Sequence, residues 1–258
     1  KYSCKIKSIC DNIINSEGIS LIYSEYIDGG IIPMTLALEE YGFKRFGKGK
    51  SLLGDETSET IGKYVIISGN KYLSPNNVDD IKEIIKEDNK NGDKIKIVLI
   101  SRAGAEGLDL KCIRQIHIME PWYNMNRIEQ ILGRGVRTCS HILLPLEKRN
   151  VQIFLHGTLL IGNNKNNEAA DLYIYRRAEE KAIKIGKVTR LLKQNAIDCI
   201  LNIEQINFDA EILDKELELT LSNGKKIKYK IGDKPFTAMC DYMDKCSYID
   251  KTTLQKYN

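Results

Sequence analysis

The sequence predicts an α/β fold: a mainly parallel sheet covered by helices, followed by a helical and β-hairpin appendage. Three observations carry that reading. Short apolar runs alternate with stretches of helical spacing as far as His156, the signature of strand–helix–strand units. The runs are apolar at consecutive positions, so each strand is buried on both faces, as in parallel sheets. Beyond His156 the pattern changes to a polar linker, a long charged helical stretch and an alternating segment around Asn223-Gly224.

Taken in order, Ile6, Ile9, Cys10, Ile13 and Ile14 fall on one face of a helix between Ser3 and Ser16, which Glu17-Gly18 ends. Residues 19–23 form the first strand, with Ser24 at its carboxyl end. After Gly29-Gly30 a helix runs from about Pro33 to Tyr41, and Gly42 closes it. Residues 44–62 are rich in glycine and charge and read as a surface insertion. Residues 64–67 form the second strand, ending at Ser68-Gly69. Val78, Ile81, Ile84 and Ile85 mark a helix between Ser74-Pro75 and Asn91-Gly92. Strands follow at 95–100, 114–119 and 151–156, with a helix over 124–136. Sites in such sheets lie beyond the carboxyl ends of the strands. Ser24, Ser68-Gly69, Ser101-Arg102 and Glu120-Pro121 should therefore line one edge.

The remainder divides into a linker at 163–167, one long helix or two over 169–203, a hairpin over 216–231 and a polar tail with Cys240 and Cys246. The predicted division is a lobe at 1–160 and an extension at 161–258.

Composition narrows the class. A hydrophobic content of 42% supports a proper core, and a net charge of only +4 neither demands nor excludes a nucleic-acid partner. No run approaches the ~20 apolar residues of a membrane helix, and no signal peptide is visible, so a soluble protein is expected. Seven cysteines, an odd number in a long chain, predict free thiols in a reducing compartment. Lys1 stands where an initiator Met would, which predicts a piece of something longer.

The candidate chemistry gathers in residues 95–137. On a helix, Gln130, Arg134 and Arg137 fall at i, i+4 and i+7 and share a face. Two guanidinium groups one turn apart suit phosphate oxygens. Gly133 and Gly135 flank Arg134, each at a cost of roughly 1 kcal/mol in a helix interior, tolerated where a backbone or ligand must approach. The plainer reading is a helix end with solvated arginines. The loop 101–110 has small residues at a strand end, so its amides can face an anion; an ordinary turn is equally compatible. Asp109 is better suited to holding an arginine than to binding phosphate. Residues 42–48 superficially match a phosphate loop, but Gly49 stands where Ser or Thr should bind Mg²⁺, and the stretch follows a helix, not a strand. Cys240 and Cys246 have the wrong spacing for a zinc knuckle, so no metal site is predicted and both read as free thiols. His117 reads as a packed core histidine; His141 is placed either to touch nucleotide or to fold the turn, and the turn is the plainer reading. The lysine-rich helix after Ala169 is compatible with lining a nucleic-acid path, but a solvated face is the plainer reading.

The order of the two pieces adds to this. A strand, then Ser-Arg-Ala-Gly-Ala-Glu-Gly-Leu-Asp-Leu (101–110), another strand, then Gln-Ile-Leu-Gly-Arg-Gly-Val-Arg (130–137) resembles motifs V and VI of superfamily 2 helicases and Swi/Snf-type translocases. Residues 19–24 resemble motif IV. Residues 134–141, Leu144-Pro145, Arg149-Asn150-Val151, Glu179-Glu180-Lys181 and 196–202 are similar to the viral branch of that superfamily. That branch includes poxvirus nucleoside triphosphatase I, the early transcription factor small subunit and related helicases of large cytoplasmic DNA viruses.

The resemblance implies the C-terminal lobe of an ATPase, a RecA-like three-layer sandwich. Arg134 and Arg137 match the arginine fingers that reach the γ-phosphate of ATP across the inter-lobe cleft. Gln130 matches the residue coupling nucleotide to nucleic acid, and Gly107 and Asp109 match positions near the cleft. Ser101, Arg102, Ser24 and Ser68 match the positions that meet the nucleic-acid backbone. ATP and Mg²⁺ would be held mainly by an N-terminal RecA-like lobe, whose motifs this sequence lacks, so the chain alone is expected to be inactive. The implied partners are nucleic acid, DNA before RNA, that N-terminal lobe and viral transcription machinery, with no membrane. The implied location is a viral factory in the host cytoplasm, or the virion. A non-catalytic helicase-like scaffold in a viral transcription factor is the competing reading.

Overall fold

A computed structural model describes residues 3–47, 49–54, 60–105, 107–159, 168–196, 215–232 and 234–246. Its centre is a six-stranded sheet of β1 (Ile19–Ser24), β2 (Phe43–Arg45), β3 (Gly62–Ile67), β4 (Ile97–Ser101), β5 (Ile113–Ile118) and β6 (Gln152–Leu155), in the order β2-β3-β4-β1-β5-β6 with every pair parallel. The period-two alternation splits the inner strands β1, β3 and β4 between two cores, while the edge strand β6, expected to be buried on both faces, leaves Ile153 and Leu155 exposed because no helix among the described residues covers it there. Leu21, Val65, Val98 and Ile116 face one side, where Ile84 of α3 (Asn77–Ile84) and Ile128 and Ile131 of α4 (Met125–Gly135) cover them. Ile22, Ile66 and Leu99 face the other, under Ile9 and Ile13 of α1 (Cys4–Ile14) and Met34 and Leu38 of α2 (Ile32–Glu40). This is the predicted three-layer RecA-like sandwich.

Local chemistry sets the helix ends. Ser3 caps α1, its hydroxyl oxygen accepting the Ile6 N–H at 3.2 Å. Pro33 sits in the first turn of α2, and Gly42, at φ +95°, turns the chain after it. The fully buried Asn89 shapes the loop before β4. Its carboxamide oxygen accepts the N–H groups of Lys94 and Ile95, which delays the strand to Ile97.

Two expectations are corrected. The stretch read as a surface insertion contributes an edge strand: Phe43, Lys44 and Arg45 pair in parallel with Gly62, Lys63 and Tyr64. Only Phe43 of the three is buried, so the segment shows no apolar run. It also removes the phosphate-loop match at 42–48, whose Lys48 lies outside the described residues. Second, Cys240 and Cys246 are joined in a disulfide. Asp241 and Tyr242 both adopt left-handed backbone (φ +53° and +56°) and turn the chain back on itself, a fold that linear spacing does not reveal.

The hairpin of β7 (Glu216–Thr220) and β8 (Lys226–Lys230) is antiparallel, with Gly224 at φ +79° in its turn. It closes the amino end of the sheet. The Glu17 N–H donates to Ser222 O (2.7 Å), Arg114 Nη2 to Thr220 O (2.6 Å), Asn150 Nδ2 to Thr220 O (3.0 Å) and Gln115 Nε2 to Ser222 Oγ (2.8 Å). The helix α5 (Ala170–Asn195) is held at its start by Lys5, which pairs with Asp171 at 2.7 Å. The expected linker at 163–167 and the continuation of the helical stretch over 197–203 lie outside the described residues. No helix among the described residues is long and apolar enough to cross a membrane.

Candidate functional site

The carboxyl edge of the sheet brings together the serines that the sequence places at strand ends. Ser24 of β1 stands in register with Ser101 of β4, and Ser68 follows β3 next to it. All three are buried, and their hydroxyls shape their own loops. Ser24 donates to Glu120 Oε1 at 3.0 Å and accepts the Tyr26 N–H at 3.2 Å. Ser68 accepts the Asn70 N–H at 3.2 Å and lies 2.7 Å from the Ser74 hydroxyl. Ser101 accepts the Gly104 N–H at 3.4 Å. Arg102 is the one member of the predicted quartet whose side chain faces solvent.

Arg102 belongs to a network that sequence reasoning did not single out. Glu25 receives Arg127 Nη1 at 3.0 Å, the Tyr23 hydroxyl at 2.7 Å and Arg102 Nη1 at 3.5 Å. The Arg127 guanidinium also stacks 4.0 Å from the centroid of Trp122. Burial and the neighbouring Glu25 push the Tyr23 hydroxyl well above its usual range. Burial likewise raises the Glu120 carboxyl. The signal that could have found this cluster is Trp122, the single tryptophan of the chain, placed directly after a strand end.

The loop after β4 is shaped by close main-chain contact. A Cβ on Gly104 would lie 2.0 Å from Ile67 O, so only glycine lets the loop cross the end of β3. Gly107 turns at φ +73°. Leu108 and Leu110 are buried and pin the loop, leaving Asp109 exposed. Glu106 lies outside the described residues.

The helix α4 carries Gln130, exposed, and Arg134 one turn later, half-buried. Among the described residues, the buried Arg134 Nε has no hydrogen-bond partner. Arg137 is not on the helix: Val136 leaves helical geometry at φ −119°, ψ 90°. The expected common face of the three is therefore corrected for Arg137. Its guanidinium instead folds back, Nε donating to Gly133 O (2.8 Å) and Nη2 to Leu108 O (3.2 Å), with Asp109 3.6 Å away. The Leu110 N–H donates to Arg134 O at 3.0 Å and the Cys112 N–H to Ser140 O at 3.0 Å. The loop and the arginine segment are thus joined by main-chain and side-chain bonds. The two glycines differ in purpose. A Cβ on Gly135 would meet Ile116 and Ile113 of β5 at 3.1–3.3 Å, so this residue serves helix-on-sheet packing, whereas a Cβ on Gly133 would meet nothing.

All three histidines are held by polar neighbours: His141 in the turn after α4, and His117 and His156 against each other at the sheet. His141 Nε2 donates to Ile113 O at 2.6 Å, which leaves Nδ1 to accept the Ser140 hydroxyl at 2.8 Å, so it folds the turn. His117 is fully buried between Gln115 Oε1 (3.1 Å) and His156 Nε2 (3.0 Å) and stacks on Phe154. Among the described residues no three His, Cys, Asp or Glu side chains converge to hold a metal ion. The residues here suit nucleotide phosphate through arginine and supply no ligand set for Mg²⁺.

Comparison with known proteins places the chain in a family. The model of the helicase conserved C-terminal domain matches residues 5–139. A putative ATP-dependent RNA helicase, R350, of Acanthamoeba polyphaga mimivirus is 31% identical over 208 residues, covering 78% of this chain and 24% of the relative. A termination factor NPH-I homolog of African swine fever virus is 32% identical over 240 residues, covering 78% of this chain and 33% of the relative. Nucleoside triphosphatase I of Heliothis armigera entomopoxvirus is 31% identical over 206 residues, covering 80% and 28%. The chain therefore spans a third or less of these relatives. Among solved structures, the C-terminal part of the Fun30 ATPase domain aligns with a TM-score of 0.44 at 17% identity, over 69% of this chain and 46% of that one. Matched by the family model over more than half its length, the chain belongs to the helicase conserved C-terminal domain family, in a RecA-like fold, and the relatives named here come from large DNA viruses.

Proposed function

We propose that this lobe, within a longer protein, couples ATP hydrolysis to movement along nucleic acid in viral transcription or genome handling, in the host cytoplasm or the virion. ATP, held with Mg²⁺ by an N-terminal RecA-like lobe, supplies the phosphoryl group. Arg134 and Arg137 are the arginine fingers that offset the charge developing there. Gln130 relays the state of the cleft, and Gly107 and Asp109 hold the loop beside it. On the nucleic-acid side, Arg102 meets a phosphate. Ser24, Ser68 and Ser101 hold the loops whose main chain borders the backbone. Such contacts carry no base information, which suits translocation.

The observation that carries this reading is the physical joint between the loop after β4 and the arginine segment. Leu110 N–H to Arg134 O, and Arg137 to Leu108 O and Asp109, make one body of the two. A nucleic-acid contact at the loop and a nucleotide contact at the arginines would then move together. The names of the relatives, a helicase, a termination factor and a nucleoside triphosphatase, support the same coupling. The competing scaffold reading draws on Arg137, whose guanidinium is already held by its own chain.

ATP turnover of the full-length protein with single-stranded DNA, duplex DNA and RNA separates the two. Stimulated turnover, strongest with DNA, is expected, and no turnover under any condition would establish the scaffold. The isolated chain should show none. Nucleic-acid-stimulated hydrolysis by residues 1–258 alone would show that a complete site resides in this lobe.

A further inference from the structure

Residues 234–246 form a small knob seated on α5. Inside it, the Phe236 N–H donates to Met243 O and the Tyr242 N–H to Thr237 O, and the Cys240–Cys246 disulfide closes the loop that carries Asp241 and Tyr242. The seat is specific. The Asp241 carboxylate, almost wholly buried, pairs with Arg190 Nε at 2.9 Å and Lys193 Nζ at 2.7 Å. Arg190 Nη2 also donates to Cys240 O (2.7 Å) and Lys245 O (3.0 Å). Gly186 is the point of main-chain contact: a Cβ there would lie 2.0 Å from Asp241 O. From this anchored position the Tyr242 hydroxyl donates to Glu129 Oε1. Glu129 lies on α4 immediately before Gln130 and little more than one turn before Arg134.

We propose that the knob is a brace that positions α4, with Tyr242 and Glu129 as positioning residues, and that the Cys240–Cys246 disulfide makes the brace sensitive to dithiol reductants. The inference rests on the ATPase reading above. Ile128, Ile131 and Gly135 hold α4 on the sheet, the Leu110–Arg134 main-chain bond holds its carboxyl end, and Arg127 its amino end, which leaves the outer flank of its middle turn to be fixed from elsewhere. A hydrogen bond from a rigid, disulfide-closed loop to that flank fixes it, and with it the direction of Gln130 and Arg134. Reduction proceeds by thiolate attack on one cysteine sulfur. The S–S bond breaks to a mixed disulfide, which the second thiol of the reductant resolves. Two electrons and two protons pass to the cysteines, and the reductant leaves as a cyclic disulfide. The opened loop no longer holds Asp241 and Tyr242 in left-handed backbone, and the contact with Glu129 relaxes.

The test uses the full-length protein with saturating nucleic acid, kcat and KM for ATP being measured before and after treatment with dithiothreitol. Tyr242→Phe should lower kcat about tenfold with KM little changed, the mark of a contact that matters in the transition state. Glu129→Ala should do the same, and the double variant should be no worse than either single one. Dithiothreitol should bring the wild type to the level of Tyr242→Phe and leave a Cys240→Ser, Cys246→Ser variant, already slow, unmoved. Gly186→Ala, which unseats the knob without touching either contact residue, should reproduce the loss. Wild-type turnover that neither Tyr242→Phe nor dithiothreitol alters overturns the brace and leaves the ATPase reading standing. No turnover from the wild type overturns both.

Discussion

Arg134 and Arg137 are separated by three positions yet live in different environments. Arg134 is on the helix with a buried Nε that has no partner among the described residues, and Arg137 is past its end, holding Leu108 O and Gly133 O. In the full-length protein each Ala substitution should reduce turnover by on the order of 10³-fold or more while nucleotide affinity is largely kept. Wild-type turnover from either variant would remove that residue from the finger role. Arg137→Lys should behave almost as Arg137→Ala, because an ammonium cannot span both carbonyls as the guanidinium fork does. The spacing of Gln130 and Arg134 was legible because a helix repeats every few residues regardless of context. The departure of Arg137 was not, since it depends on the extended backbone of Val136. The strand-end serines show the same divide. Their positions followed from the apolar runs. Their burial depends on partners elsewhere in the chain, Glu120 for Ser24 and Ser74 for Ser68.

At the scale of elements, the loop after β4 is the part most constrained by its neighbour. Gly104→Ala would set a methyl group 2.0 Å from the Ile67 carbonyl oxygen, and main chain cannot give way as a side chain does. The expected loss is about 1–3 kcal/mol, visible as a lower urea midpoint; a midpoint equal to wild type would show that the loop has another path. Five of the six sheet strands announce themselves as apolar runs; four need them because both faces are buried, whereas the edge strand β6 leaves Ile153 and Leu155 exposed. The sixth, β2, is an edge strand of three residues with two charges, and its pairing partner lies beyond a long insertion. The knob was hidden for a related reason. Nothing in the spacing of Cys240 and Cys246 shows that two consecutive residues between them are left-handed.

The molecule as a whole carries a pH dependence set by its histidines. Burial lowers all three, His117 to about 3 and His156 to about 4. Well above pH 6.5 they are neutral whether folded or unfolded and contribute no pH dependence. As pH falls below that value, the unfolded chain takes up protons that the folded chain refuses, so stability falls. Each of His117 and His156 should remove up to about 1.4 kcal/mol per pH unit over this window. A thermal midpoint whose fall from pH 6.5 to 5 is as steep in a His156→Gln variant as in the wild type would contradict the buried neutral state of His156, a comparison in which carboxyls raised by burial, such as Glu120, cancel.

His117 also belongs to a polar chain through Gln115 to Ser222 at the hairpin turn. Arg114 and Thr220 are 106 residues apart in sequence, and Gln115 and Ser222 are 107 apart. The amino end of the sheet thus waits for chain that is made much later. At ~5–20 residues per second of synthesis, a ribosome would need on the order of 5–20 s after finishing β5 to deliver the turn that satisfies it. During that interval the donors of Glu17, Arg114 and Gln115 face water. A chain stopped at residue 160 would hold them in that state permanently, so the nascent lobe reaches its final stability only when the hairpin has cleared the exit tunnel.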